Sequence, residues 1–195
     1  MLSEADRTTL AKAGITNVDH LASAAAAFLR AHPVYEASPV TNALSETEED
    51  FLRSAGAHGV GSWSNEAAAD NVAIIAGEFA QLVTTALTQK EVAALLGVSP
   101  SRIRQKLEAR ELFALRTANG RVCPRFQFGA GGALPGLEAV LRALRPEVHP
   151  VAVQRFFMNV HPDLESETLN RALSPHEWLL TGHPPASVAA LASEV

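Results

Sequence analysis

TQKEVAALLGVSPSRIRQKLEARELFALRTANGRVCPRFQF, residues 88–128, carries the pattern that decides the fold. Thr88 can cap a helix, and Glu91, three places on, can reach back to the Thr88 N–H, the reciprocal arrangement of a capping box. Val92, Leu95 and Leu96 mark one apolar side, Ala93 is small enough for a close crossing, and Gly97 can take the left-handed conformation that ends the helix. Ser99 is a second N-cap, Pro100 suits the first helical position, and Ile103 and Leu107 share one inward face. Leu112, Phe113, Ala114 and Leu115 lead to Asn119-Gly120, a strong hairpin signal, and then to Val122, Phe126 and Phe128. Pro124 cannot donate to a ladder, so it belongs at an edge or bulge of the second strand. The reading is helix, tight turn, helix and a short two-stranded wing.

The outer face of the second helix carries Ser101, Arg102, Arg104, Gln105 and Glu108. Arg can pair bidentately with guanine, Gln with adenine, and Ser can bond to phosphate or to a base edge. Residues 101–125 hold seven basic side chains and two acids, a net +5, on a chain whose total is −5. A basic island on an otherwise acidic chain attracts a polyanion there and repels it elsewhere. The candidate DNA contacts are Thr88, Gln89, Ser101, Arg102, Arg104, Gln105, Arg116, Asn119, Arg121 and Arg125, with double-stranded operator DNA as the expected partner. A helical hairpin with a wing can also be a packing unit alone.

The segment resembles the winged helix-turn-helix of the excisionase and MerR-like families in EVAALLGVSPSRIRQKL and ELFALRTANGR. The resemblance implies DNA binding, with the second helix in the major groove and the wing on the backbone or minor groove.

Composition bounds the rest. A chain of 195 residues that is 47% hydrophobic can bury one real core or two small ones. No apolar stretch reaches membrane-spanning length and MLSEADRTTL has no basic segment leading into an apolar run, so a cytoplasmic protein is expected. The lone Cys123 fits a reducing compartment and is assigned no role.

Residues 1–87 read as helices joined by loops: Ala-rich amphipathic stretches at about 3–13 and 18–31, a loop through Val34–Leu44, and a short helix opened by the Ser45/Glu48 capping box. GAHGVGSWS matches neither the Walker nor the dinucleotide spacing and is read as an ordinary loop, with Trp63 packing. A longer helix runs over 65–86 with Val72, Ile75, Phe79, Leu82 and Val83 at helical spacing. That stripe either packs within its own chain or pairs with a second copy, and a homodimer is expected because one recognition helix touches few base pairs.

GAGGALPG, residues 129–136, reads as a flexible joint and domain boundary. Beyond it come helices near Leu137–Leu144 and Val151–Met158, a loop NVHPDLESETLNRAL, a capped helix SPHEWLLTG started by Ser174, Pro175 and Glu177, and a last helix after Pro184-Pro185. The expected fold is mainly α, a helical N-terminal part, a helix-turn-helix with a short hairpin wing, and a small helical domain over 137–195.

The stretch VQRFFMNVHPDLESETLNRALSPHEWLLTGHPPASVAALA resembles the toxin-binding domain of Xre/MbcA/ParS-type antitoxins, although the DNA-binding part looks more like an excisionase or MerR unit than the one those families usually carry. The resemblance implies an antitoxin of a type II toxin–antitoxin module that blocks a cognate toxin, often an NAD-degrading RES-class enzyme, and represses its own operon. Trp178, Leu179, Leu180, Thr181, Gly182, His183, Val188 and Leu191 are the candidate toxin contacts. Trp178 and Leu179 read equally as that domain's own core.

His149, His161 and His183 precede Pro and His176 follows one, so no pair has metal-ligand spacing, and neither a cofactor nor a catalytic constellation is expected. Two other classes stay open: a stand-alone transcriptional regulator or excisionase-like protein without a toxin partner, and an enzyme, which a convergent polar pocket would support.

Overall fold

The computed structural model describes residues 3–12, 15–31, 45–55, 65–117 and 120–195. The fold is mainly α with small antiparallel sheets. In order the elements are α1 (Glu4–Lys12), α2 (Val18–Ala31), α3 (Glu46–Ser54), α4 (Asn65–Thr84), β1 (Leu87–Thr88), α5 (Gln89–Leu96) and α6 (Pro100–Glu108). They continue with β2 (Leu115–Thr117), β3 (Gly120–Cys123), a 3-10 turn (Arg125–Gln127), β4 (Phe128–Gly129), β5 (Gly132–Ala133) and α7 (Leu137–Ala143). The last are α8 (Pro150–Met158), β6 (His161–Ser166), β7 (Arg171–Leu173), α9 (Pro175–Leu180) and α10 (Pro185–Ala192). The expected loop at 34–44, the GAHGVGSWS segment with Trp63, and the Val72 side chain lie outside the described residues.

Two compact units divide the chain: residues 16–81, and residues 1–15 together with 82–195. In the first, Ala24, Phe28, Ala76 and Ala80 are buried and the Phe28 and Phe79 rings meet at 5.2 Å. The apolar stripe expected on α4 thus packs Phe79 on a helix of its own chain, while Ile74 beside it is 54% exposed.

The second unit is built around one core that runs from the helix-turn-helix into the C-terminal elements. Val92, Ile103, Leu115 and Phe126 share it with Leu137, Val140, Phe157, Leu164, Leu179 and Val188. The predicted caps form: Ser45 and Glu48 bond reciprocally at α3, Thr88 and Glu91 make the reciprocal box at α5, Ser99 accepts the Arg102 N–H at 3.2 Å, and Ser174 and Glu177 make another box at α9. Gly97 ends α5 at φ 63°.

Four expectations are corrected. Leu95 is 45% exposed, because α5 buries Val92 and Ala93, and two residues beyond Ala93 is about 200° around the helix. The wing has three strands in the order β1-β3-β2, since Leu87 and Thr88, ahead of α5, pair with Cys123 and Val122. Residues 129–136 are no joint: they hold the β4–β5 hairpin, Gly132 supplies a φ of 114° that a side chain would strain, and Leu134 is buried in the common core. The loop expected between α8 and α9 is instead the β6–β7 hairpin, with Leu164 and Leu173 fully buried and Asn170 in left-handed geometry near its turn. A boundary at 129–136 fails for one physical reason, that a separate 137–195 domain would have to divide a continuous core.

Candidate nucleic-acid interface

α6 projects from the core on Ile103, which is fully buried, so Ser101, Arg102, Arg104, Gln105 and Glu108 are left exposed around its other sides. Arg102 Nη1 donates to Gln105 Oε1 at 3.1 Å, which pre-orients two of the candidate base readers side by side. β2 and β3 pair through Leu115–Val122, Arg116–Arg121 and Thr117–Gly120. Thr117 and Gly120 are the last pair of this ladder, and Asn119 of the expected Asn119-Gly120 signal lies outside the described residues.

That register puts Arg116 directly opposite Arg121. Two like charges across a ladder destabilise a hairpin. A phosphate between them would remove the repulsion and accept a charge-assisted hydrogen bond from each.

The seven bases of the segment now separate into two groups. Lys106 pairs with Glu111 at 2.8 Å and, as hydrogen-bond donor, holds that carboxyl below its usual range. Arg110, at a left-handed φ of 55°, donates to the Leu144 carbonyl at 2.6 Å and so ties the end of α6 to the end of α7. Arg125 donates through Nε to the Thr85 carbonyl at 2.8 Å. Arg102, Arg104, Arg116 and Arg121 form no ion pair among the described residues. Three of the bases are thus bonded within the fold, and four form no ion pair among the described residues. Thr88 is committed to the cap, since its hydroxyl donates to Glu91 Oε2 at 2.7 Å, while Gln89 is half-buried.

Sequence reasoning missed the residue that fixes the wing to the helices. Gln127 is fully buried, its Oε1 accepts the Phe113 N–H at 2.8 Å, and its Nε2 donates to the Phe113 and Pro124 carbonyls at 2.8 and 3.0 Å. A Gln between two phenylalanines was the available signal, because a polar residue at an inward position of an apolar run must find partners inside. Cys123 is fully buried, and burial pushes its thiol up to about 11, which leaves it an unreactive core group.

The C-terminal candidates do not converge on one surface. Leu179 and Val188 are fully buried, which removes them as partner contacts. The reason is helical phase: each lies on the inward face of a helix that lies in the shared core. Trp178 is half-buried, donates from Nε1 to the Pro184 carbonyl at 2.9 Å and packs its ring against that of His183 at 4.2 Å with a tilt of 34°, so this pair braces the turn between α9 and α10. His183 Nε2 in turn meets Ser166 Oγ at 3.1 Å, tying that turn to β6. Leu191 packs half-buried against the core, while Leu180, Thr181 and Gly182 are exposed. Among the described residues no group of three or more His, Cys, Asp or Glu side chains could hold a metal ion, and no helix is long and apolar enough to cross a membrane.

No protein-family model matches the chain, and no curated protein matches it. Among solved structures it is similar to the NMR structure of Rv2175c, with 28% identity over 56% of this chain and 79% of that one. The TM-score of that match is 0.42, too low to carry an argument about fold or activity.

Proposed function

We propose that this chain binds double-stranded DNA, with α6 in the major groove and the β2–β3 wing on the flanking backbone, and that it acts as a transcriptional repressor. The observation that supports this reading best is the sorting of the basic segment. Three bases are used inside the fold, and the four that are not sit on the exposed side of α6 and across the wing. Phosphate contacts would come from Arg116 and Arg121, and base-edge contacts from Arg102, Arg104 and Gln105. A homodimer is part of the proposal, since two copies would double a short recognition site. In vitro selection from random duplexes, followed by footprinting, tests it: a recurrent site protected by the chain supports the reading, and enrichment of no sequence over background removes base-specific recognition.

A second reading adds a protein partner. The C-terminal elements expose Leu180, Met158, Val160 and Leu169, apolar side chains of the kind that anchor an interface. With the Xre/MbcA/ParS resemblance, this favours an antitoxin that blocks a cognate toxin enzyme, of the RES class by that resemblance, and represses the operon encoding both. Residues Leu180, Thr181 and Gly182 would supply the contact in place of the buried Leu179 and Val188. Co-expression with the neighbouring reading frame decides: growth arrest by the neighbour alone, relieved when the two co-elute, supports the antitoxin, and a harmless non-binding neighbour leaves a stand-alone regulator.

A further inference from the structure

Arg102 lies in the first turn of α6, the part of a recognition helix that comes nearest to base edges, and Gln105 follows it at the i+3 position on the same face. Both are exposed, and Arg102 Nη1 donates to Gln105 Oε1 at 3.1 Å. That bond decides what each side chain still has to offer. Arginine carries donors alone, and its other N–H groups stay open. Glutamine carries an acceptor oxygen and a donor NH2, and here the acceptor is the atom already engaged. Accepting from a cation also polarises the amide, so that its NH2 donates more strongly.

Neighbouring carboxylates do not undo this. Glu111, whose charge reaches Arg102, is ion-paired with Lys106 at 2.8 Å. Glu108 stands about 4.5 Å further along the helix axis than Gln105, more than the roughly 3.4 Å between base pairs. The pair therefore faces outward as a set of donors backed by a positive charge.

Guanine shows two acceptors in the major groove, N7 and O6, whereas adenine shows the N7 acceptor and the N6 amino donor. A glutamine reads adenine by accepting from N6 while donating to N7. At Gln105 the N6 donor would have to share Oε1 with the Arg102 N–H and would lie against the guanidinium charge. The O6 of guanine meets the amide NH2 and the same charge favourably.

We propose that Arg102 and Gln105 act as a donor pair, so that Gln105 specifies guanine where an unengaged glutamine would specify adenine, and α6 reads two neighbouring guanines. This rests on the DNA-binding reading above and adds base identity to it.

In vitro selection from random duplexes with the unaltered chain, Gln105→Ala and Arg102→Ala tests it. The position whose preference flattens in Gln105→Ala is the one that Gln105 faces. The unaltered chain should select guanine there, favoured over adenine by about tenfold in competition binding. Arg102→Ala, which releases the carbonyl, should select adenine at the same position. Adenine selected there by the unaltered chain, a guanine preference unchanged in Arg102→Ala, or no position flattened in Gln105→Ala would each overturn the inference and leave DNA binding standing. Should Arg102→Ala bind too weakly to select, the competition between guanine and adenine on the unaltered chain decides. A failure of the unaltered chain to select any site removes the DNA-binding reading, and this inference with it.

Discussion

Two of the chain's helices start with the same device and go to opposite destinations. Thr88 with Glu91 opens α5, and Ser174 with Glu177 opens α9; in both, the hydroxyl accepts the N–H of the Glu three residues on and the carboxylate accepts the N–H of the cap. The first box begins a unit whose second helix lines up exposed arginines. The second begins a helix whose Leu179 is fully buried and whose Trp178 is tied down by Pro184 and His183. A cap fixes where a helix begins; it carries no information about which side meets solvent. That is decided by neighbours. The basic side chains after Ser99 cannot be buried unpaired, whereas WLL and VAALA are apolar enough to join whichever core is adjacent.

The adjacent core is that of the helix-turn-helix, and cutting the chain between the two regions should have the largest effect. Eleven of the nineteen buried core residues described lie beyond residue 128. Each large side chain contributes about 1.5–3 kcal/mol on burial, against a total stability of only about 5–15 kcal/mol. A fragment ending at Phe128 should therefore show no cooperative thermal unfolding and no DNA binding. A well-folded 1–128 fragment would restore a domain boundary at 129–136. Next in size, Leu179→Ala should cost about 2–5 kcal/mol and melt α5 and α6 together with α9. Hydrogen exchange at Val92 and Ile103 amides would show it, and protection unchanged there would separate the two regions.

Smaller effects are expected at the caps. Thr88→Ala and Ser174→Ala should each cost about 1 kcal/mol in denaturant unfolding, since each removes a cap side chain. The smallest effect is a pH dependence that the two boxes do not share equally. The Arg171 guanidinium, 2.8 Å from Glu177, and the Ser174 backbone N–H hold the Glu177 carboxyl down to about 2. At the first box Glu91 is lowered too, chiefly by the Thr88 N–H, without an arginine bonded to it. A depressed carboxylate contributes stability above its unfolded value of 4.5, and that contribution is lost as pH falls toward 2. Arg171→Gln should therefore lower thermal stability slightly at pH 7, by little because both partners are substantially exposed, and the difference should vanish as pH falls toward 2.

Much of the helix-turn-helix was legible because its signals are local. Thr88, Gly97, Ser99 and Pro100 each dictate a backbone geometry within a few residues, and the structure places each in that role. The missed elements depend on distant partners. Leu87 and Thr88 become a strand only because Val122 and Cys123 lie beside them, and HPDLES, with a proline and no β-branched residue, forms a strand through its pairing with Arg171–Leu173. GAGGALPG reads as flexible by composition, yet its glycines serve a tight hairpin that Leu134 anchors. At the site, the arginines were legible as a group but not in their division, because whether Arg110 or Arg125 is free depends on carbonyls 34 and 40 residues away.

Salt-dependent binding to a selected duplex tests this division of the arginines. Each phosphate neutralised adds about 0.9 to the slope of log K against log salt. Arg116→Ala with Arg121→Ala should lower the slope by about 2 and weaken binding to all duplexes alike. Arg102→Ala with Arg104→Ala should relax sequence preference, by about 1–3 kcal/mol for each base that is no longer read. Unchanged slope and unchanged preference in both double variants would contradict the account, and would place any DNA-binding surface outside α6 and the wing.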